Sequence, residues 1–397
     1  MHNSKKDMVT KGHRKGGYTS FIAFLFFFFF ASPALSPAFG GRTIYLHWLI
    51  VILDWGYLRN VFNRVIDKKN QKNVLAIMIF LLFCIVNHRL FIAFKIVSII
   101  WCIVYLFYVK EKGLFKYLYI GVNINIVIAI MQFIFYYTNR NWAYIIGPTN
   151  ISKFVWGNFA TQTNTNMYAI FGNKLVRVCG WSREAGFFAS LLIICFFCYL
   201  YDTKIRKRKA QYILYAIGFI ISFSKASLTI IPLFCVIHFS KYINRIPARF
   251  ASIVYIAITS MAAGVLNRIG YLVVEHESIA HRFIGYHVVW KVRGKSAVLG
   301  FGTLKEIGDG IISDYSILGH LISTGYDELC GWAGIVEYLG FLGLGIWILM
   351  LVLFRISASG ILFLMLATFT VDPFTATSFV VLAYWIVLNI KGLNIKR

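Results

Sequence analysis

Two stretches of the sequence, roughly 138–182 and 268–332, interrupt an otherwise apolar chain and hold the side chains best suited to an anionic substrate. Arg177, Arg183, Arg282 and Arg293 fall in or beside them. A guanidinium is a planar fork that meets phosphate oxygens two at a time, so arginine suits a phosphate group held near a membrane surface. Headgroup contact by a snorkelling side chain is the plainer alternative, and it fits Arg183 best because that residue abuts an apolar span. Carboxylates near the same boundaries are Glu184, Glu275, Glu277, Glu306, Asp309, Asp314, Asp327, Glu328, Glu337 and Asp372. One of them could orient or deprotonate an attacking hydroxyl. Glu184 falls in the first turn of an apolar segment, where the helix dipole favours an acid whatever its role. It also stands seven residues from Arg177, which would put both on one face of a helix reaching that far and allow a salt bridge. His320 is read as a loop histidine ahead of a Gly-rich span, from where a base near neutral pH could act, and His276, His281 and His287 compete with it. Lys225 sits in a tight turn between apolar spans, where a charge calls for a partner or a substrate. Lys95 lies inside a span and could snorkel outward.

Other groups are less specific. Gly300-Phe-Gly302 and Gly308-Asp-Gly310 could form backbone nests for an anion, although such patterns are also ordinary turns. Trp142, Trp156, Trp181, Trp290 and Trp332 offer ring faces for sugar CH surfaces, or anchor the chain at the membrane interface. No metal-ligand spacing appears, and no Asp-x-Asp pair sits in a loop, so the sequence implies neither a metal nor another cofactor. Cys84, Cys102, Cys195, Cys198 and Cys235 lie in apolar segments, where cysteine behaves as a small hydrophobe. Cys179 and Cys330 lie outside them and either stay as two free thiols or join the two long loops in a disulfide.

The elements that must position these groups follow from composition. The 397 residues are 59% hydrophobic and 14% charged, with a mean hydropathy of +0.70, too apolar for a soluble chain. Twelve membrane spans are predicted at 18–39, 43–58, 74–87, 90–109, 114–137, 183–201, 211–223, 226–240, 250–267, 333–354, 359–371 and 374–390. The expected fold is therefore all-α: residues 1–397 form one polytopic membrane domain of about 12 transmembrane helices, with two long external loops as the active face. An even number of spans puts both termini on one side. With the termini cytoplasmic, the cytoplasmic segments hold 25 of the 40 Lys and Arg residues, and the short outer connections hold only Arg42, Arg89 and Lys225. That bias is the positive-inside signal, and it also accounts for the net charge of +25 without nucleic acid. The first segment reads as a retained span, with a cleaved signal peptide as the alternative. No internal repeat is evident, which counts against a transporter built from duplicated halves.

Four short patches, in order, carry a resemblance. They are Arg177-Val-Cys-Gly-Trp-Ser-Arg-Glu-Ala-Gly-Phe-Phe-Ala, Ser222-Phe-Ser-Lys-Ala-Ser-Leu, the Arg282 region with Gly300-Phe-Gly302, and His320 followed by the Gly-rich Gly331–Gly345. Together they resemble the Wzy-type polysaccharide polymerases of bacterial surface glycans, over about residues 175–350. The sequence departs from that family's pattern at Ala185, where a proline follows the glutamate. The resemblance implies an inner-membrane enzyme that moves a growing glycan from undecaprenyl pyrophosphate onto the next lipid-linked repeat unit at the outer leaflet. Read for that chemistry, Glu184 and His320 are the candidate catalytic groups and Arg177, Arg282, Arg293 and Lys225 the candidate pyrophosphate ligands, with no cofactor. The implied partners are the lipid-linked oligosaccharides, membrane lipids, a flippase and a chain-length regulator. An O-antigen ligase would share the layout, and a lipid-linked oligosaccharide flippase would instead carry buried charges with short loops on both faces.

Overall fold

The computed structural model describes residues 4–39, 42–66, 71–160, 168–170, 175–202, 205–272, 277–324 and 328–389. In chain order the principal helices are α1 (Ser4–Ala31), α2 (Gln71–Val86), α3 (Leu90–Glu111), α4 (Lys116–Thr138), α5 (Ala185–Tyr201), α6 (Lys209–Ser222), α7 (Ile230–His238), α8 (Ala248–Arg268), α9 (Glu277–Val288), α10 (Ser316–Thr324), α11 (Gly331–Leu353), α12 (Ala358–Ala367) and α13 (Ser378–Asn389). Two short antiparallel pairs accompany them: β1 (Ala38–Phe39) with β2 (Arg42–Thr43), and β3 (Tyr168–Ile170) with β4 (Leu175–Arg177). Helices α3, α4, α8 and α11 are long and apolar enough to cross a bilayer. Seven further apolar helical stretches are shorter, so the protein is a helical membrane protein.

One expected span is not a helix. Residues 43–58 break into Leu46–Ile50, a single tight turn at Val51–Leu53, and a separate helix, Trp55–Ile66. Asp54 causes the break: its Oδ1 accepts the Tyr57 N–H at 3.2 Å, three residues on, as a helix N-cap does. The Tyr105 hydroxyl donates to its Oδ2 at 3.4 Å. Asp54, inside the expected span 43–58, is thus the start of a new helix. The even span count that placed both termini together rests on this segment.

The chain forms two compact units: Met1–Ile66, Ile100–Leu228 and Thr377–Leu382, then Asp67–Ile99, Thr229–Ala376 and Ala383–Arg397. In the first, the phenylalanine run of α1 is core: Phe26, Phe27 and Phe30 are fully buried. Phe26 meets Tyr105 at 4.7 Å and Phe27 meets Phe115 at 5.8 Å, both edge-on. Gly121 lets the backbones of α1 and α4 touch, since a Cβ there would lie 2.6 Å from the Phe27 carbonyl oxygen.

In the second unit, α8 holds α11 and α12 through hydroxyls. The Tyr255 hydroxyl donates to Met365 O at 3.1 Å, and Trp332 Nε1 donates to the Thr259 hydroxyl at 2.9 Å. Helix α11 is broken at Gly340 (φ 66°, ψ −176°), a conformation open only to glycine. The segment Val298–Gly302 fills the break, and a Cβ on Gly340 would sit 2.1 Å from Val298 O. The carbonyls that the break exposes are used: Gly302 N–H donates to Glu337 O at 2.8 Å, and Arg89 Nε donates to Tyr338 O at 3.2 Å. Arg89 is placed by the end of α2, where His88 turns left-handed (φ 58°) and Arg89 N–H closes onto Cys84 O.

Candidate functional site

The expected site residues divide between the two units: Arg177, Glu184 and Lys225 belong to the first, and Arg282, Arg293 and His320 to the second.

In the first unit the motif beginning at Arg177 is clamped from α4. Asn125 and Gln132 stand seven residues apart, hence on one face of that helix, and both are fully buried. Gln132 makes a two-way bond to Gly180, its Oε1 accepting the N–H at 2.9 Å and its Nε2 reaching the carbonyl at 2.8 Å. Asn125 Oδ1 accepts the Trp181 N–H at 2.6 Å, while its Nδ2 donates to Ala31 O at 2.7 Å and to the Ser182 hydroxyl at 3.2 Å. Gly180 (φ 58°) is required here, because any Cβ would lie 2.2 Å from Asn125 Oδ1. Neither amide was a sequence candidate, yet two amides one face apart in an apolar span were a signal in plain view.

Arg177 and Glu184 do not share a helix. Arg177 ends β4, paired with Tyr168, and α5 starts only at Ala185. The clamped turn between them brings both to bear on Cys179, whose thiol burial pushes up to about 12, with Glu184 raising it and Arg177 lowering it. Glu184 is the N-cap residue of α5 in extended conformation, and its side chain makes no capping bond. A Cβ on Gly186 would lie 3.1 Å from Glu184 Oε1 and 4.0 Å from Ser224 Oγ, so the first and second motif patches meet at the start of α5. Lys225, next to Ser224, is exposed and opens a tight turn (Lys225–Thr229).

In the second unit a cluster of charges gathers where α11 begins. Lys95 Nζ, on α3, lies 3.0 Å from Glu328 Oε1 and 3.5 Å from Asp372 Oδ2. The side chains of Lys95 and Asp372 are 10% and 0% exposed, whereas that of Glu328 is 46% exposed, so the pair is fixed and Glu328 faces outward. Asp372 also accepts Phe374 N–H at 2.7 Å and the Thr375 hydroxyl at 3.1 Å. Glu337 Oε2 accepts Leu329 N–H at 2.6 Å. Lys95 therefore does not snorkel; it neutralises two acids whose positions are set 233 and more residues later. The Cys330 thiol is pushed up to about 12 by burial, with Arg282 lowering it and Glu337, Asp372 and Glu328 raising it, so all four charges surround this point.

The remaining candidates are more peripheral. His320 lies in a helix, α10, and not in a loop; its side chain is exposed while Ile317, Leu318 and Leu321 bury the opposite face. Arg293 is exposed, stands at the N-cap position of Gly294–Leu299 without a capping bond, and donates to Trp290 O at 3.1 Å. His287 Nε2 is 2.9 Å from the Tyr315 hydroxyl, and burial followed by the Lys291 ammonium lowers its pKa. His276, Glu275 and Asp327 lie outside the described residues. The nest at Gly300–Gly302 is not available to an anion, since the Gly302 N–H is bonded within α11. Trp332 is buried between Tyr286 and Trp290 and is no platform for a sugar, while Trp142 and Trp290 are exposed. Cys179 and Cys330 are both buried thiols, one in each unit.

No family model, no curated protein and no solved structure matches the chain.

Proposed function

We propose that this chain is a bacterial inner-membrane polymerase that transfers a growing glycan from undecaprenyl pyrophosphate to the next lipid-linked repeat unit at the outer leaflet. The observation that carries the reading is the charge cluster at the start of α11. There a half-exposed carboxylate, Glu328, is held by a buried ammonium, and both Glu328 and Arg282 act on the Cys330 thiol. The order of the four sequence patches supports it, and so does the rigid mounting of the Arg177–Glu184 turn.

In this reaction an acceptor sugar hydroxyl attacks the donor's anomeric carbon as the bond from that carbon to the pyrophosphate oxygen breaks. The lipid pyrophosphate leaves with the bonding pair, and the hydroxyl proton passes to a base. Within the second unit, Arg282 takes the developing phosphate charge in this reading, with Arg293 as an outer ligand. The base in that unit is a carboxylate at the external face, Glu328, with His320 as the other candidate. The same surface would serve a ligase with a lipid-core acceptor. A buried lysine paired with acids is also what a flippase would carry, so Lys95 keeps that alternative in view.

One strain comparison separates the three. Without the chain, a polymerase defect leaves single repeat units on the surface, a ligase defect leaves polymer on its carrier lipid, and a flippase defect leaves no external glycan. Arg282→Ala at matched expression should lower polymer output about a hundredfold or more, the scale of losing one preorganised donor. Near-normal polymer length and amount from Arg282→Ala would overturn the assignment.

A further inference from the structure

A cavity in the first unit lies away from the candidate site residues. It occupies about 320 Å3 where α4 begins, α5 ends and α6 begins. Lys116, Arg206 and Arg208 line it, together with the rings of Tyr119 and Tyr199 and the side chain of Ile120, and no acid is in its lining. Its wall is braced. Asn123 and Gln211 exchange two amide bonds at 2.9 and 2.6 Å, tying α4 to α6. The Tyr199 hydroxyl accepts Arg208 N–H at 2.7 Å and so fixes the turn that carries the arginines. Asp202 is not in the lining; its carboxylate accepts from the Tyr119 hydroxyl at 3.3 Å, while its backbone oxygen accepts from Lys207.

We infer that this cavity is a binding site for a phosphate-bearing headgroup of an anionic lipid. Three cations without a lining acid select an anion, and guanidinium forks suit phosphate oxygens. The amino ends of α4 and α6 both open here, and neither cap residue, Phe115 or Arg208, supplies a side-chain acceptor, so two positive helix ends face the cavity against the one negative end of α5. The volume is at the small end of ligand sites, about 300–1,000 Å3, which fits a headgroup and its glycerol and leaves the acyl chains outside against apolar helix surface. Lys116 opens a bilayer-length helix, so the site sits at headgroup depth. The inference is independent of the proposed glycan chemistry.

The test uses the full chain in detergent with added phosphatidylglycerol or phosphatidylcholine, read by native mass spectrometry and by melting temperature. Phosphatidylglycerol should stay bound and raise the melting temperature, and phosphatidylcholine should do neither. Arg206→Gln with Arg208→Gln should weaken phosphatidylglycerol binding at least about tenfold. Ile120→Trp, which fills the cavity and leaves every charge in place, should weaken it as well. Lys241→Gln with Arg245→Gln, the same charge change in a different basic connection, should not. Equal weakening by the Lys241/Arg245 pair, or full binding by Ile120→Trp in folded protein, would overturn the site. Inorganic phosphate at millimolar concentration should leave the lipid bound. If it binds and displaces the lipid, the site takes free phosphate and the lipid assignment is wrong.

Discussion

In the first unit the fully buried Asn125 and Gln132 are uncharged amides that bond to the backbone around Gly180 and Trp181. In the second, the buried Lys95 and Asp372 form a fixed charge pair that ends on the outward-facing Glu328. The two solutions carry different risks. An amide satisfies the turn it holds at any pH and adds no net field. An ion cluster projects a field into the surrounding site, and removing one member strands the others in a medium that solvates them poorly. The first unit is therefore built to hold a backbone shape, and the second to hold a charge pattern.

The largest effect should come from unbalancing the second unit. Lys95→Met leaves Asp372 buried without its ammonium and should destabilise the protein by about 3–5 kcal/mol. Lys95→Met with Asp372→Asn should recover much of that loss, because the stranded charge goes too. Unfolding midpoints in one detergent measure both. A single mutant as stable as the parent would show that the pair carries no such charge.

A smaller effect should follow from Gln132→Leu, which deprives Gly180 of both its side-chain partners and should cost about 1–3 kcal/mol. Hydrogen exchange should lose protection at residues 179–182 and keep it at the start of α11. Loss spread evenly over both units would break the contrast drawn here.

The smallest effect concerns pH, and the second unit should show it. Burial and Lys291 lower the His287 pKa in the folded chain. The unfolded chain, with an ordinary value of about 6.5, takes up the proton first as pH falls. Its stabilising contribution is then complete above about pH 6.5 and drains as pH drops toward the folded value. The melting temperature should fall between pH 7.5 and 5.5, with a shallower slope in His287→Gln; parallel slopes would remove His287 from the account.

Much of this architecture was legible because apolar length is a property of composition. Eleven apolar helical stretches stand where spans were expected. The failure at 43–58 is instructive: Asp54 caps a new helix there with help from Tyr105, 51 positions away. Lys95 was misjudged for the same reason, since nothing near it in sequence announces Glu328 or Asp372. His320 could have been read correctly, because Ile317, Leu318 and Leu321 already carry helical spacing. The spacing of Arg177 and Glu184 misled because it assumed a helix where β4 and the clamped turn intervene. Of the six expected site residues, Arg282 stands within the field of the α11 charges, a grouping that belongs to tertiary structure alone.

The break at Gly340 also bears on the order in which the chain assembles. Insertion machinery admits a segment by its apolar length, and Gly331–Leu353 qualifies as one continuous stretch. The carbonyls of Glu337 and Tyr338 take donors from outside those 23 residues. The partners, Gly302 and Arg89, are both translated earlier and are waiting when α11 leaves the ribosome. A backbone oxygen in hydrocarbon needs a donor at every moment, so the expected order is entry as an unbroken helix and opening once the upstream segment docks.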